Sequence, residues 1–247
     1  MIYDVYTIWR RELIRFTRAK SRLISSMAMP VIWLIFIGVG FSSSFKLPGL
    51  DYMDFLAPGI IGMIVLFTSI FSGVSVIWDR QFGFLKEILV APVSRTSIVL
   101  GKTFGGATVA LINGSLMLVI SGAMGLVPFE GGMLISIFFM IMTSICFVSM
   151  GLIIATQMRS MEGFQTIMSF LVMPIFFLSG ALFPLQNTPD WMKLASYFDP
   201  LTYGIDGLRV SLLDAGTNSV IINGVVLTGF AVALVCLGSY LFRKNVI

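Results

Sequence analysis

The hydrophobic residues of the chain form long uninterrupted stretches, and short polar segments separate them. A transmembrane helix needs roughly 20 mostly apolar residues. Six stretches meet this length: residues 23–41, 57–78, 103–127, 133–157, 164–183 and 220–242. None of the six contains Asp, Glu, Lys or Arg. The pattern therefore predicts an all-α polytopic membrane protein with six transmembrane helices.

The first 22 residues have a different, amphipathic pattern. Apolar residues recur there at steps of three and four, as on one face of a helix, and arginines occupy the other face. The apolar set is Ile2, Tyr6, Trp9, Leu13 and Phe16, and the basic set is Arg11, Arg15, Arg18 and Arg22. We predict a cytoplasmic interfacial helix over 1–22, before a transmembrane domain over 23–247. This helix is either an anchor to anionic lipid or a strut to a cytoplasmic partner.

Basic residues are distributed unevenly between the two sides of the predicted membrane. Of the 16 Lys and Arg residues, only Lys46, Lys193 and Arg209 fall in segments on one side. Because segments rich in Lys and Arg stay in the cytoplasm, both termini are predicted to be cytoplasmic. A cleaved signal peptide is a weaker interpretation of 23–41, because a long charged segment precedes it and no clear A-x-A site follows. We expect a multi-pass protein of the cell membrane.

Composition excludes several classes of protein. The chain is 57% hydrophobic and 11% charged, so its net charge of +4 has little polar surface for nucleic acid to bind. It has no histidine and two cysteines. A Ser-His-Asp triad, a histidine-ligated metal and a cysteine-ligated iron–sulfur cluster are therefore excluded. Uncharged spans also disfavour a proton-driven transporter, which usually carries ionisable residues within them.

The segment 79–102 is the long cytoplasmic loop. Residues 84–90 are predicted to form a short helix that ends before Pro92, and Ser94 is a plausible N-cap for the helix that enters the third span. The short helix offers charged and large apolar side chains to a partner. The same pattern fits a helix that merely lies at the membrane interface.

The segment 184–219 is the long outer loop. Thr188, Pro189 and Asp190 are predicted as N-cap, first helical position and acidic first turn of a short helix. Pro200 should end that helix, and a second one should follow over 201–213. Two short helices with apolar faces fit an outer-leaflet cover or a re-entrant hairpin, because they cannot bury a core of their own.

One motif suggests nucleotide binding but is incomplete. Gly101-Lys102-Thr103 resembles the end of a phosphate-binding loop, yet Thr96 stands where that motif requires glycine, and no βαβ pattern surrounds it. We therefore predict that the chain binds no ATP, no metal and no cofactor, and that it is not an enzyme.

Two groups of motifs resemble the type-2 ABC transporter permeases, especially their daunorubicin-resistance-like branch. The first comprises residues 79–87 (D-R-Q-F-G-F-L-K-E), 91–95 (A-P-V-S-R) and 100–102 (L-G-K). The second comprises 177–184 (F-L-S-G-A-L-F-P), 189–191 (P-D-W) and 199–209 (D-P-L-T-Y-G-I-D-G-L-R). Both groups occur in family order in a six-span chain.

The resemblance implies a permease that pairs with a second copy of itself above two copies of a separate ABC ATPase subunit, which binds the ATP and Mg. It implies an ATPase-coupling helix in the cytoplasmic loop, with Arg80, Phe82, Gly83, Phe84, Leu85, Lys86 and Glu87 as candidate coupling residues. It also implies an outer hairpin motif consisting of Pro184, Pro189, Trp191, Pro200, Asp206 and Arg209.

The sequence thus predicts the membrane subunit of an ATP-driven exporter of a hydrophobic or amphiphilic compound, which could be drug-, lipid- or glycan-like. The alternative is a non-transporting membrane scaffold or sensor that recruits a cytoplasmic partner. Gly114, Gly151 and Gly180 are candidate positions for close helix approach between the two copies of a homodimer.

Overall fold

The computed structural model describes residues 2–42, 49–83, 93–128, 131–158 and 160–245, and these form a helical bundle. Its α-helices are α1 (Ile2–Arg18), α2 (Lys20–Phe41), α3 (Tyr52–Ser72), α4 (Val74–Gln81), α5 (Arg95–Ala123), α6 (Met133–Gln157), α7 (Met161–Leu178), α8 (Asp190–Ser196), α9 (Pro200–Leu213) and α10 (Val220–Asn245). A 3₁₀ turn, Leu185–Asn187, precedes α8. The all-α prediction is therefore confirmed for the described residues.

The long helices alternate in direction. Near one end of the bundle, α1 lies against the first half of α5, and Arg95 donates a hydrogen bond to the Arg243 carbonyl near the end of α10. At the opposite end, the Tyr52 hydroxyl donates to the Leu182 carbonyl. Both described termini therefore lie at the end formed by α1, which we call the α1 end. Helix α6 is central, because it contacts α3, α5, α9 and α10.

Five helical segments are long and apolar enough to cross a membrane: Tyr52–Gln81, Arg95–Ala123, Met133–Gln157, Met161–Leu178 and Val220–Lys244. They correspond to the second through sixth predicted spans. The first predicted span, 23–41, lies within α2 (Lys20–Phe41), of which Ser26–Phe41 is an apolar helix. The polytopic character of the protein is thus clear, and the sixth span stays a prediction.

Glycines let the central helices approach closely. A Cβ on Gly73 would lie 2.5 Å from the backbone of Gly151, and one on Gly114 would lie 2.8 Å from Val65. Gly180 has a φ of +73° in the turn after α7, a conformation that favours glycine. All three glycines proposed for close approach are therefore used within the chain.

The N-terminal prediction needs correction. The first helix ends at Arg18 rather than at residue 22, because the backbone of Ala19 is not helical (φ −99°, ψ 58°). Arg22 belongs to α2. Within the chain Ile8 is buried against α5, whereas Ile2 and Tyr6 of the predicted apolar face are exposed. The interruption at Ala19 separates α1 from α2, and α1 packs along α5.

The outer segment enters the bundle. Helix α9 begins at Pro200, one residue before its predicted start, and α8 already ends at Ser196 rather than at Pro200. Gly204 and Gly207 of α9 pack against Thr143 and Phe139 of α6. Thr143 is ten residues into α6, which is about 15 Å along the helix. The Thr188 cap is wrong, since α8 begins after Pro189 and the Thr188 hydroxyl donates to the Leu185 carbonyl instead.

Candidate functional site

A groove on α5 holds the N-terminal helix at the α1 end. Gly101 and Gly105 lie one turn apart, and a Cβ on either would come within 3 Å of Ile8 or Glu12. The Trp9 indole nitrogen also donates to the Thr108 hydroxyl at 3.0 Å. Close packing of this kind joins two helices tightly. Gly101, which stood out as part of an incomplete phosphate-binding motif, therefore serves helix packing.

A buried ion network lies beside this groove. The Asp79 carboxylate of α4 accepts from Arg11 of α1 at 2.8 Å and from Lys102 of α5 at 2.5 Å. Lys102 also donates to the Ser75 hydroxyl at 3.1 Å and lies 3.5 Å from the Glu12 carboxylate. We call these five residues the ion network. Lys102 is 2% exposed and Asp79 6% exposed, so their charges are stable there only as partners.

The ion network explains two features that the sequence left open. Arg11 binds Asp79 and the Arg15 guanidinium lies 5.1 Å from the centre of the Trp78 ring, so both arginines contact α4. Asp79 and Lys102 stand at the two ends of the loop 79–102. In the sequence, Asp79 directly follows the second predicted span and Lys102 directly precedes the third. These two opposite charges were the available signal of an ion pair, but the same positions also simply mark the ends of the spans.

Arg80, the start of the predicted coupling segment 80–87, is held by α6. Both terminal nitrogens of Arg80 donate to backbone carbonyls, NH1 to Met158 at 2.9 Å and NH2 to Thr156 at 3.1 Å, which closes the last turn of α6. Phe82 is 83% exposed, and Gly83 has a φ of +78°. Arg80 therefore binds within the chain, while Phe82 is accessible to a partner.

The remaining predicted coupling residues, Phe84, Leu85, Lys86 and Glu87, lie outside the described residues. The helix after the loop is described, and its predicted cap is confirmed: the Ser94 hydroxyl accepts from the Ser97 backbone N–H at 3.1 Å. The loop is thus fixed at both described ends, by Arg80 on one side and by Ser94 on the other.

Arg209 fastens the outer hairpin to two other elements. It is 6% exposed and donates to the carbonyls of Gly180 (2.8 Å), Ala181 (3.1 Å) and Phe55 (3.3 Å). Its guanidinium also lies 3.6 Å from the centre of the Phe55 ring. Burial lowers the pKa of Arg209 to about 9, so the side chain stays protonated at neutral pH.

Asp206 closes the other side of the hairpin. Its carboxylate accepts from the backbone N–H groups of Thr217 and Asn218 at 2.7 and 2.8 Å and from the Asn223 amide at 2.8 Å. It therefore ties α9 to the start of α10. Asp206 and Arg209 lie one turn apart on α9 and act on opposite neighbours, which is the arrangement of a structural clamp.

The other hairpin residues define turns and one exposed surface. Pro184 is extended after α7, Pro189 precedes α8, and Pro200 occupies the first turn of α9. Asp199 caps α9 by accepting from the Leu201 N–H at 2.9 Å, and burial raises its pKa to about 7. Four large apolar side chains of α8 and the two residues after it are exposed: Trp191, Leu194, Tyr197 and Phe198.

A cavity of about 530 Å³ lies between α1 through α5 and α7. Glu12 and Arg15 line it at the α1 end, and Asn113 lines it deeper in the bundle. The Asn113 amide nitrogen donates to the Thr68 hydroxyl at 3.2 Å, whereas its oxygen has no hydrogen-bond partner among the described residues. A lone asparagine in an apolar stretch gives no distinguishing pattern, so Asn113 is not predictable as a cavity residue from the sequence.

Among the described residues, no group of three or more Cys, Asp or Glu side chains is placed to bind a metal ion. The charged groups of the ion network neutralise one another, and the buried hairpin charges bind backbone groups. The arrangement therefore offers structural linkage and a small-molecule cavity.

Comparison with known proteins agrees with this geometry. The family model described as "ABC-2 type transporter" matches residues 3–213. The chain is 30% identical to the putative transport permease ycf38 of Cyanophora paradoxa, over 84% of this chain and 73% of the relative. It is 28% identical to nodulation protein J of Rhizobium leguminosarum bv. trifolii, over 83% and 80%. It is 27% identical to the inner membrane transport permease YadH of Escherichia coli K12, over 93% and 91%.

Proposed function

The chain belongs to the ABC-2 type transporter family as a membrane permease subunit without an ATPase site or cofactor of its own, and we propose that it moves a hydrophobic or amphiphilic compound out of the cytoplasm. The match to the family over residues 3–213 carries this proposal. ABC permeases work with ATPase subunits. Hydrolysis by a separate ATPase dimer supplies the energy here.

The proposed arrangement has six spans with both termini in the cytoplasm. The alternating helix directions support it, because the described termini lie at the same end as most basic residues. The name of the Escherichia coli relative supports placement in the inner membrane. Cysteines replacing Lys46 and Lys193 should label from outside intact cells, whereas one replacing Lys86 should not.

The proposed ATPase contact is the coupling segment, residues 80–87. It begins at Arg80 and includes the candidate contact residues 82–87. Its location between two fixed ends supports this role, since motion of the loop would be passed to α4 and α5 directly. The ion network joins the same two helices to α1. Movement imposed on the loop would therefore reach three helices together.

A second copy of the chain is proposed as the other half of the permease. The exposed apolar surface of α8 and the exposed Phe170, Met173 and Phe177 of α7 support a partner within the membrane plane. The daunorubicin-resistance-like branch is proposed from the loop and hairpin motifs alone.

The test is co-purification of the tagged full-length chain with a stand-alone ABC ATPase encoded beside it. We expect a complex of two permeases and two ATPases whose ATP hydrolysis rises with an added amphiphile. A chain that purifies alone and leaves the hydrolysis rate of the ATPase unchanged would instead support a membrane scaffold.

A further inference from the structure

We propose that the start of α5 and the end of α10 together bind the headgroup of an anionic phospholipid at the α1 end. The residues concerned are Arg95, the first residue of α5, and Arg243 and Lys244, in the last turn of α10. We call these three residues the basic corner. The lipid is a bound component of the membrane around the permease and not the exported compound, so this inference goes beyond the proposed function.

One hydrogen bond joins the two helices at the basic corner. The Nη1 atom of Arg95 donates to the backbone carbonyl of Arg243 at 2.6 Å, across a separation of 148 residues in the sequence. A cation is favourable there, because the C-terminal end of a helix carries a partial negative charge. The side chains of Arg95, Arg243 and Lys244 therefore start from one small region of the surface.

The positive charge of the basic corner is not balanced within the described part of the chain. Arg243 and Lys244 are exposed, and Arg95 is partly exposed. Among the residues that the structure describes, no carboxylate forms an ion pair with any of the three, whereas the cations of the ion network are paired with Glu12 or Asp79. A guanidinium has several N–H donors, and that of Arg95 uses one of them within the described chain. These cations and donors fit a phosphate group.

An exposed apolar surface adjoins the basic corner along α10. Leu237 is 46% exposed and Tyr240 is 62% exposed. Leu237, Tyr240 and Lys244 follow one another at steps of three and four residues, so they share one face of the helix. Tyrosine is typical of the boundary between hydrocarbon and headgroups. The same face therefore offers an apolar contact for an acyl chain and, one turn further, a cation for a phosphate.

This combination favours an anionic phospholipid over other partners. A free phosphate would use the cations but leave the apolar face of α10 uncovered, and so would a soluble ATPase docked below the membrane. A zwitterionic lipid would bring its own ammonium group to the basic corner. Basic clusters at the cytoplasmic ends of transmembrane helices bind anionic headgroups, and each cation near the surface strengthens binding about fivefold. The expected ligand is thus a phosphodiester lipid with a net negative charge.

The test titrates dioleoyl phosphatidylglycerol into the purified, delipidated full-length permease in neutral detergent, and native mass spectrometry measures the bound lipid. Dioleoyl phosphatidylcholine is the reference, because it has the same acyl chains and a zwitterionic headgroup. We expect phosphatidylglycerol to bind roughly tenfold more tightly or better. Added salt should reduce this difference, since it screens exposed charges.

Arg243→Gln/Lys244→Gln removes two charges from the basic corner. Its matched control is Arg10→Gln/Arg18→Gln, because Arg10 and Arg18 are exposed cations of α1 at the same end of the bundle. We expect the first double variant to weaken phosphatidylglycerol binding roughly tenfold or more, and the control to leave it unchanged. Leu237→Asn should weaken the binding of both lipids, since it removes the apolar contact that their chains share.

Equal affinity of the wild type for the two lipids would overturn the proposal, and so would equal weakening by the two double variants, because net charge alone would then explain binding. Displacement of phosphatidylglycerol by equal concentrations of glycerol 3-phosphate would indicate a site for free phosphate and would also overturn it. Loss of ATPase co-elution in Arg243→Gln/Lys244→Gln, with lipid binding unchanged, would assign the surface to the ATPase instead. The lipid titration contains no ATPase, so failure of the proposed function would leave its result unaffected.

Discussion

The Nζ atom of Lys102 lies 2.5 Å from the Oδ2 atom of Asp79, and both side chains are buried at the ends of neighbouring candidate spans. Removing one member of a buried pair leaves the other charge uncompensated, whereas replacing both by apolar residues is often tolerated. The Asp79–Lys102 pair therefore holds α4 against α5 on the two sides of the loop, whatever its net contribution to the free energy of unfolding.

We expect Lys102→Met and Asp79→Leu each to destabilise the permease by roughly 3 kcal/mol. The double variant should lose less stability than the two single variants together, because Arg11 is partly exposed and reaches solvent when Asp79 is absent. Thermal unfolding in detergent measures this, with Lys193→Met in an exposed ion pair as the control. Strict additivity of the two losses would contradict direct pairing.

Arg209→Met should destabilise the outer hairpin by about 3 kcal/mol, because the carbonyls of Phe55, Gly180 and Ala181 lose a shared donor. Arg209→Lys should retain part of the stability, since the charge over the Phe55 ring remains but the fork of donors is lost. The control is Arg243→Met, at an exposed arginine of α10. Equal melting temperatures for Arg209→Met and this control would contradict the clamp.

Asp199 should make stability depend on pH. Burial raises its pKa from 3.8 to about 7, so the folded state favours the protonated form, and this contribution to stability is lost as the pH rises through about 7. Asp199→Asn keeps an N-cap acceptor without ionising. We expect its melting temperature to exceed that of the wild type at pH 8.5 and to approach it at low pH.

The matched control for this measurement is Asp190→Asn, since the Asp190 side chain is fully exposed. Asp190→Asn should change the melting temperature by the same amount at low pH and at pH 8.5. If the melting temperatures of Asp199→Asn and the wild type differ by the same amount at low pH and at pH 8.5, Asp199 does not titrate between these pH values.

The coupling segment should bind the ATPase through its large apolar side chains. Phe84→Ala or Leu85→Ala should cost about 1–3 kcal/mol of association, because buried anchors dominate such contacts. Glu87→Lys should mainly slow association. Proline cannot adopt the φ of +78° found at Gly83. Gly83→Pro should therefore leave binding of the ATPase unchanged but abolish the response of ATP hydrolysis to substrate. Co-elution and hydrolysis assays distinguish these effects, with Val119→Ala, at an exposed position near the opposite end of α5, as control.

The sequence predicted the long helices well, because a membrane imposes length and hydropathy on each segment independently of its neighbours. Met133–Gln157 has the predicted bounds, and Ser94 caps α5 because capping is a local property. The ion network was not predictable in this way, since it joins Arg11, Asp79 and Lys102 from three separate helices. The burial of α9 likewise depends on its fit against α6, which no local pattern in 200–213 records.

The most direct test of the central claim is transport itself. Inside-out vesicles expose the cytoplasmic face of the permease and its ATPase, so Mg, ATP and 8-anilinonaphthalene-1-sulfonate are added to the external medium. Uptake of the probe is compared with its uptake when a non-hydrolysable ATP analogue replaces ATP. The account predicts uptake with ATP only, and its loss in vesicles that carry Phe84→Ala. Equal uptake under both nucleotide conditions, together with normal uptake of a range of other amphiphiles without ATP, would contradict an ATP-driven exporter.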